Sequence, residues 1–186
     1  MNVVSEPDKP SRSTAVTRDP RRRGRNLGLI IAMMVAVAVI DQVVKQIMVT
    51  NLQEGVPVNV IGEFFQLFLL YNPGAAFGMG QDSTWLFTII QLAFVIGTTV
   101  AAFFLRDRPT SAGLALIGGG ALGNLIDRLV REPGFYFGHV VDYISIGDFA
   151  IFNLADASIN IGVVVFVIAI LTEERRLKRE YEHDDA

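Results

Sequence analysis

Four apolar segments, about Leu27 to Val49, Trp85 to Leu105, Ala112 to Val130 and Phe152 to Leu171, set the limits on what this chain can become. Each approaches the roughly 20 residues that cross a bilayer. A backbone in lipid finds no water to bond, so each segment must close its own hydrogen bonds as a helix. Hydrophobic residues make up 51% of the 186 residues and gather into these blocks. The pattern predicts an all-α membrane protein with four transmembrane helices and a small β element.

Lys and Arg orient the crossings, because short cytoplasmic flanks are rich in them. RRRGR precedes the first segment, RDR joins the second to the third, and ERRLKR follows the fourth, while nothing basic lies between Lys45 and Arg106. Both termini are expected in the cytoplasm, with the loops at about 50–84 and 131–151 on the other side. Residues 1–26 read as a disordered basic tail, 27–172 as the four-helix domain, and 173–186 as a charged cytoplasmic tail with i,i+4 pairs such as Glu174 and Lys178. A cleaved signal peptide is the alternative for the first segment, since Ala36-Val37-Ala38 follows a basic stretch. The run, however, continues into Asp41 and Lys45.

The first loop carries strand-like runs, VPVNVIG and EFFQLFLLYN, followed by a turn at Asn72-Pro73-Gly74. Val56, Val58 and Val60 alternate with other residues, which predicts a half-buried strand and a small sheet between helices 1 and 2. Phe64, Phe65 and Phe68 are expected as sheet core or interface anchors.

Cysteine is absent and histidine is limited to His139 and His183, which removes disulfides, thiolate nucleophiles and Cys-based zinc sites. No metal or cofactor is expected. The basic clusters report orientation, so the net charge of −3 does not imply a nucleic-acid partner. The glycines of GGGALGN lie inside an apolar helix with no GK[ST] after them, and Gly119 and Gly123 read as a small-xxx-small pair for close helix packing.

Charges inside membrane segments are costly and mark function by default. Asn124, Asp127, Arg128 and Arg131 share one face of the third segment, and Asn153, Asp156 and Asn160 share one face of the fourth. Because the two helices run in opposite directions, the stripes lie at matched depth. They face either a hydrated cavity or each other as a structural polar seam. Arg128 and Arg131 are expected to neutralise Asp127 or to snorkel to headgroups. Asp41 and Lys45 stand at i,i+4 and read as an ion pair. A Ser/Lys dyad with Ser145 or Ser158 lacks any local motif. A small transporter or proton channel and a tetraspan scaffold are the rival classes. The residues alone do not choose Asp142 over Asp127 or Asp148 as a partner for Asp156.

Four blocks then carry a resemblance: DQVVKQ, NPGAAFG, GGALGNLIDRL, and GHVVDYI followed by FNLADASINIG. Together they resemble the lipoprotein signal peptidase family, signal peptidase II, the bacterial intramembrane aspartyl peptidases. The resemblance implies a catalytic dyad of Asp142 and Asp156. It implies that Asn72, Gly120, Asn124, Arg128 and Asn153 line or support the substrate site, with Asp41, Lys45 and Asp127 supporting. It further implies a monomer in the bacterial cytoplasmic membrane, with membrane lipids around it. The implied substrates are diacylglyceryl-modified prolipoproteins, cleaved before the lipidated cysteine near the outer face. Two adjacent carboxylates cannot both ionise easily, so one would activate water while the other keeps its proton.

Overall fold

The computed structural model describes residues 20–74, 83–105 and 107–184, the side chains of 20–26 aside. Four helices, α1 (Pro20–Asn51), α2 (Thr84–Ala102), α3 (Arg108–Val130) and α4 (Leu154–Asp184), are each long and apolar enough to cross a membrane. Three strands, β1 (Val58–Ile61), β2 (Phe65–Asn72) and β3 (Val140–Ile146), form one antiparallel sheet in the order β1-β2-β3. The first two strands lie in the α1–α2 connection and the third in the α3–α4 connection. The sheet therefore ties both connections together.

α3 is the hub of the bundle. Its apolar window is 72% buried, against 17–22% for the other three helices, which leave apolar side chains such as Val39, Phe94 and Val164 exposed. Exposed apolar faces of this extent suit lipid, so the chain is a multi-pass membrane protein. Glycine makes the hub position feasible. A Cβ at Gly119 would meet Val37 and the Met34 carbonyl of α1, and one at Gly123 would meet the Asp41 side chain. The small-xxx-small pair thus receives α1, as its spacing implies. Gly120, between them on the opposite side, receives the Ala155 carbonyl and Ile159 of α4.

Several boundaries differ from the sequence pattern, each for a local reason. α1 begins at Pro20, inside the stretch read as a disordered tail; proline suits a first helical turn because that N–H has no helical acceptor. α3 begins four residues before the apolar run, where the Asp107 carboxylate accepts the Thr110 N–H at 2.9 Å and Pro109 sits in the first turn. α4 starts two residues late, after Asn153, and runs on through the charged tail. Residues 1–19 lie outside the described residues, as does most of the NPGAAFG turn.

The sheet brings two corrections. β1 is exposed along its whole length, with Val58 and Val60 both open, because it is an edge strand paired only with β2. The half-buried expectation fails there. β3 lies within the expected loop at about 131–151, yet Val140–Ile146 pairs along β2 and is buried over its first four residues. Its buried members Val141 and Tyr143 pack with Leu69 of β2 against Val44, Met48 and Val49 of α1. Phe64 is exposed and is not part of that core.

Candidate active site

Strand β3, helix α1 and the cap residue Asn153 together hold the first turn of α4. A helix start leaves N–H groups without acceptors. The Leu154 N–H reaches the Tyr143 hydroxyl of β3 at 3.3 Å, and the Ala155 N–H reaches Asp41 Oδ1 of α1 at 3.0 Å. The Asp156 N–H donates to Asn153 Oδ1 at 2.9 Å, while the Asn153 N–H donates back to Asp156 Oδ2 at 3.1 Å. This reciprocal pair is a capping box with Asn and Asp in place of the usual residues. It fixes the Asp156 carboxylate at the helix end.

The Asn153 amide has its Nδ2 left over, and that nitrogen donates to Asp142 Oδ1 at 2.7 Å and to Asn124 Oδ1 at 3.1 Å. The approach is set by backbone. After β3 the chain turns and Phe152 bridges back to Ile144, which returns Asn153 beside Asp142. On the other flank, β2 and β3 place Leu70 opposite Asp142, so Asn72 lies two residues along on the same face. That diagonal is within reach of a side chain. Asn72 Nδ2 donates to Asp142 Oδ2 at 2.9 Å, and Asn72 Oδ1 accepts the Gly74 N–H at 3.0 Å. Asn72 therefore makes the expected turn and also serves the carboxylate.

Asn124 of α3 completes the set. Its Nδ2 donates to Asp156 Oδ1 at 2.8 Å, and its Oδ1 accepts from Lys45 Nζ at 2.8 Å. Lys45 is wholly buried and also meets Asp41 Oδ2 and Asp127 Oδ2, each at 2.8 Å. Asp127 accepts further from Arg131 Nε at 2.7 Å, Gln42 Nε2 at 3.0 Å and the Val141 N–H at 3.1 Å. The polar stripes of α3 and α4 do meet, through Asn124 and Asp156. Asn160 stays exposed and bonds the Asp156 carbonyl one turn back.

Arg128 departs from expectation. It is buried and, among the described residues, pairs with no carboxylate; Nη1 and Nη2 donate to the carbonyls of Asn72, Pro73, Gly74 and Gly138 at 2.7–3.2 Å. The reason is geometric, since Asp127 points at α1 and already holds Lys45 and Arg131. Arg128 instead clamps the end of β2 to the entry of β3. Gly120 does not line the cavity; it lets α4 approach closely enough for Asn124 to reach Asp156.

Asp142, Asp156, Asn72, Asn124 and Arg128 line one cavity of about 310 Å³, closed on other sides by Phe87, Phe149 and Phe152. Asp148 is exposed in the turn after β3 and takes no part. Burial, and then the neighbouring Asp156 charge, push the Asp142 carboxyl up to about 7, against the pull of its Asn72 and Asn153 bonds. Among the described residues no Lys or Arg forms an ion pair with either acid. Nor do three metal-ligating side chains come together there. The arrangement offers two carboxylates, a cleft and amide groups that hold the acids without neutralising them.

Sequence reasoning missed Gln42, Gln91 and Tyr143. Gln91 had a signal: it is a lone amide in the apolar run TIIQLAF. Gln42 and Tyr143 had none beyond their neighbours.

A family model for signal peptidase (SPase) II matches residues 33–172. A lipoprotein signal peptidase of Rhodococcus jostii (strain RHA1) is 41% identical over 164 residues, covering 88% of this chain and 81% of that protein. One from Mycobacterium avium (strain 104) is 37% identical over 184 residues, covering 96% of this chain and all of that protein. A solved bacterial membrane enzyme superposes with a TM-score of 0.68 at 35% identity, covering 79% of this chain and 90% of that one.

Proposed function

We infer a mechanism from one premise, that this chain belongs to the signal peptidase II family and is therefore a protease of the membrane. It is an aspartic endopeptidase that removes signal peptides from diacylglyceryl-modified prolipoproteins, cleaving before the lipidated cysteine. The carrying observation is the single cavity lined by Asp142 and Asp156, each acid bonded to neutral amides and neither to a cation.

The two acids divide the work by environment. Asp156 lies in the first turn of α4, where the helix N-terminus favours negative charge, and it serves as the base. Asp142 lies on a strand with no such support and is pushed up to about 7, so it holds the proton and serves as the acid. Water attacks the scissile carbonyl carbon as Asp156 takes one of its protons and Asp142 gives its own to the carbonyl oxygen. When the C–N bond breaks, the Asp156 proton passes to the leaving nitrogen and Asp142 recovers a proton from the diol. Both acids return to their starting states.

Asn124 and Asn153 orient the acids, Asn72 steadies Asp142, and Arg128 fixes the cleft wall; Asp41, Lys45 and Asp127 support from behind. The basic flanks support a topology with both termini in the bacterial cytoplasm, the sheet on the outer side and the cleft near the outer face. The exposed apolar edge of the sheet, Val58, Val60 and Ile61, suits a position against lipid.

The decisive experiment incubates detergent-purified protein with a diacylglyceryl-modified precursor and with the same precursor unmodified, read by gel shift. Cleavage of the modified precursor alone is expected. Cleavage of neither, or of both equally, overturns the reading.

A further inference from the structure

Among the described residues, two buried side-chain polar atoms lack a hydrogen-bond partner, Gln91 Oε1 and Arg128 Nε. Both residues line the cavity that holds Asp142 and Asp156. An unmet buried polar group is costly, more so in a membrane helix where the alternative is hydrocarbon. Gln91 is conspicuous on that account. Its neighbours on α2, Ile89, Leu92 and Phe94, are exposed apolar residues suited to lipid, while Ile90 lines the cavity beside it. Leu at this position would avoid the penalty entirely, so the amide answers to something that enters the cavity.

The two atoms are of opposite kinds: Gln91 offers an acceptor and Arg128 a donor. An amide-bearing strand supplies both a N–H and a C=O and satisfies both. A diacylglyceryl group carries ester oxygens, which accept but do not donate; they could meet the Gln91 Nε2 but would leave Oε1 without a donor. We propose that Gln91 is a substrate-anchoring residue, its Oε1 accepting a backbone N–H of the extended peptide in the cavity while Arg128 Nε donates to a carbonyl of the same strand. The inference rests on the peptidase reading above and adds a peptide-binding wall on α2 to a cavity also lined by Asn72 and Asn124. Gln91 acts in binding and takes no part in proton transfer.

The test uses the full-length protein in detergent with a synthetic peptide substrate carrying a diacylglyceryl cysteine. Gln91→Leu keeps similar volume, removes the acceptor and is tolerated in lipid. It is expected to raise KM about threefold to tenfold with kcat unchanged, the size of one hydrogen bond made equally in ground and transition states. Replacing substrate amides one at a time by backbone esters, at positions other than the scissile bond, removes single N–H groups. One such ester is expected to raise the wild-type KM by the same factor and to add nothing in Gln91→Leu, a closed double-mutant cycle. An unchanged KM in Gln91→Leu overturns the proposal. So does a raised KM that couples to no ester position, since Gln91 would then meet something other than a peptide N–H. Asp142→Asn is measured alongside: full cleavage there sinks the aspartyl reading, whereas its loss with Gln91→Leu unaffected sinks only the role of Gln91.

Discussion

Two pairs of carboxylates lie at one end of the bundle, separated by the width of Asn124, and they have opposite characters. Asp41 and Asp127 share Lys45, and Asp127 also holds Arg131. Asp142 and Asp156 share only amides and backbone N–H groups and open onto a cavity. Charge neutralised in place builds structure, and the first pair ties α1 to α3, to the first turn of α4 through Ala155 and to β3 through Val141. Charge left without a cation must keep a proton on one member, which is the condition for acid and base to coexist.

The largest expected effect separates the pairs by activity. Asp142→Asn and Asp156→Asn, each assayed on a lipidated precursor, are expected to lose about 10²- to 10⁴-fold in kcat, the usual range for a general acid or base. Both proteins should fold at normal yield, and a variant that keeps near-full turnover would end the assignment of that acid. The second effect lies on the other pair and in stability. Lys45→Met strands buried Asp41 and leaves Asp127 with Arg131 alone, and is expected to cost about 3–5 kcal/mol in denaturant unfolding in detergent. A variant as stable as the parent would mean that the paired cluster is not the structural one.

The third sharpens the comparison through pH. Asp142 moves from an ordinary value of 3.8 to about 7 in the fold, so between those values the folded chain holds a proton that the unfolded chain has released. Stability from this group is present at low pH and declines as pH rises through about 7. The acid role follows the same proton, and kcat/KM should fall about tenfold per pH unit above that point. A profile flat to pH 9 would contradict the assignment of Asp142 as the acid. The smallest effect is Arg131→Met. Asp127 keeps Lys45, Arg131 is partly exposed, and the expected loss is about 1 kcal/mol or less by thermal unfolding. A loss as large as that of Lys45→Met would show that the cluster depends on both cations.

Much of this contrast is hidden from one-dimensional reading. Helical periodicity put Asn124, Asp127 and Arg128 on one broad face, yet in the fold they diverge: Asn124 toward α4, Asp127 toward α1, Arg128 toward the ends of β2 and β3. A stripe some 100° wide touches several neighbours at once. Asp41 and Lys45 were legible as a pair because i,i+4 proximity is local. The engagement of Lys45 by Asp127 and Asn124 was not, since those residues stand about 80 positions away. β3 was legible in retrospect from the β-branched run around Asp142, but a short strand between two long helices competes with a loop reading until its partner is known.

Spacing and composition by themselves determined that four helices cross a membrane, that α3 packs closely through its glycines, and that costly acids must face one another or a cavity, because lipid enforces each of these residue by residue. Only the tertiary structure decided which acids are paired with a cation and which are held by amides alone. That choice depends on whether a cation reaches a given carboxylate, a distance of a few ångström between elements far apart in the chain.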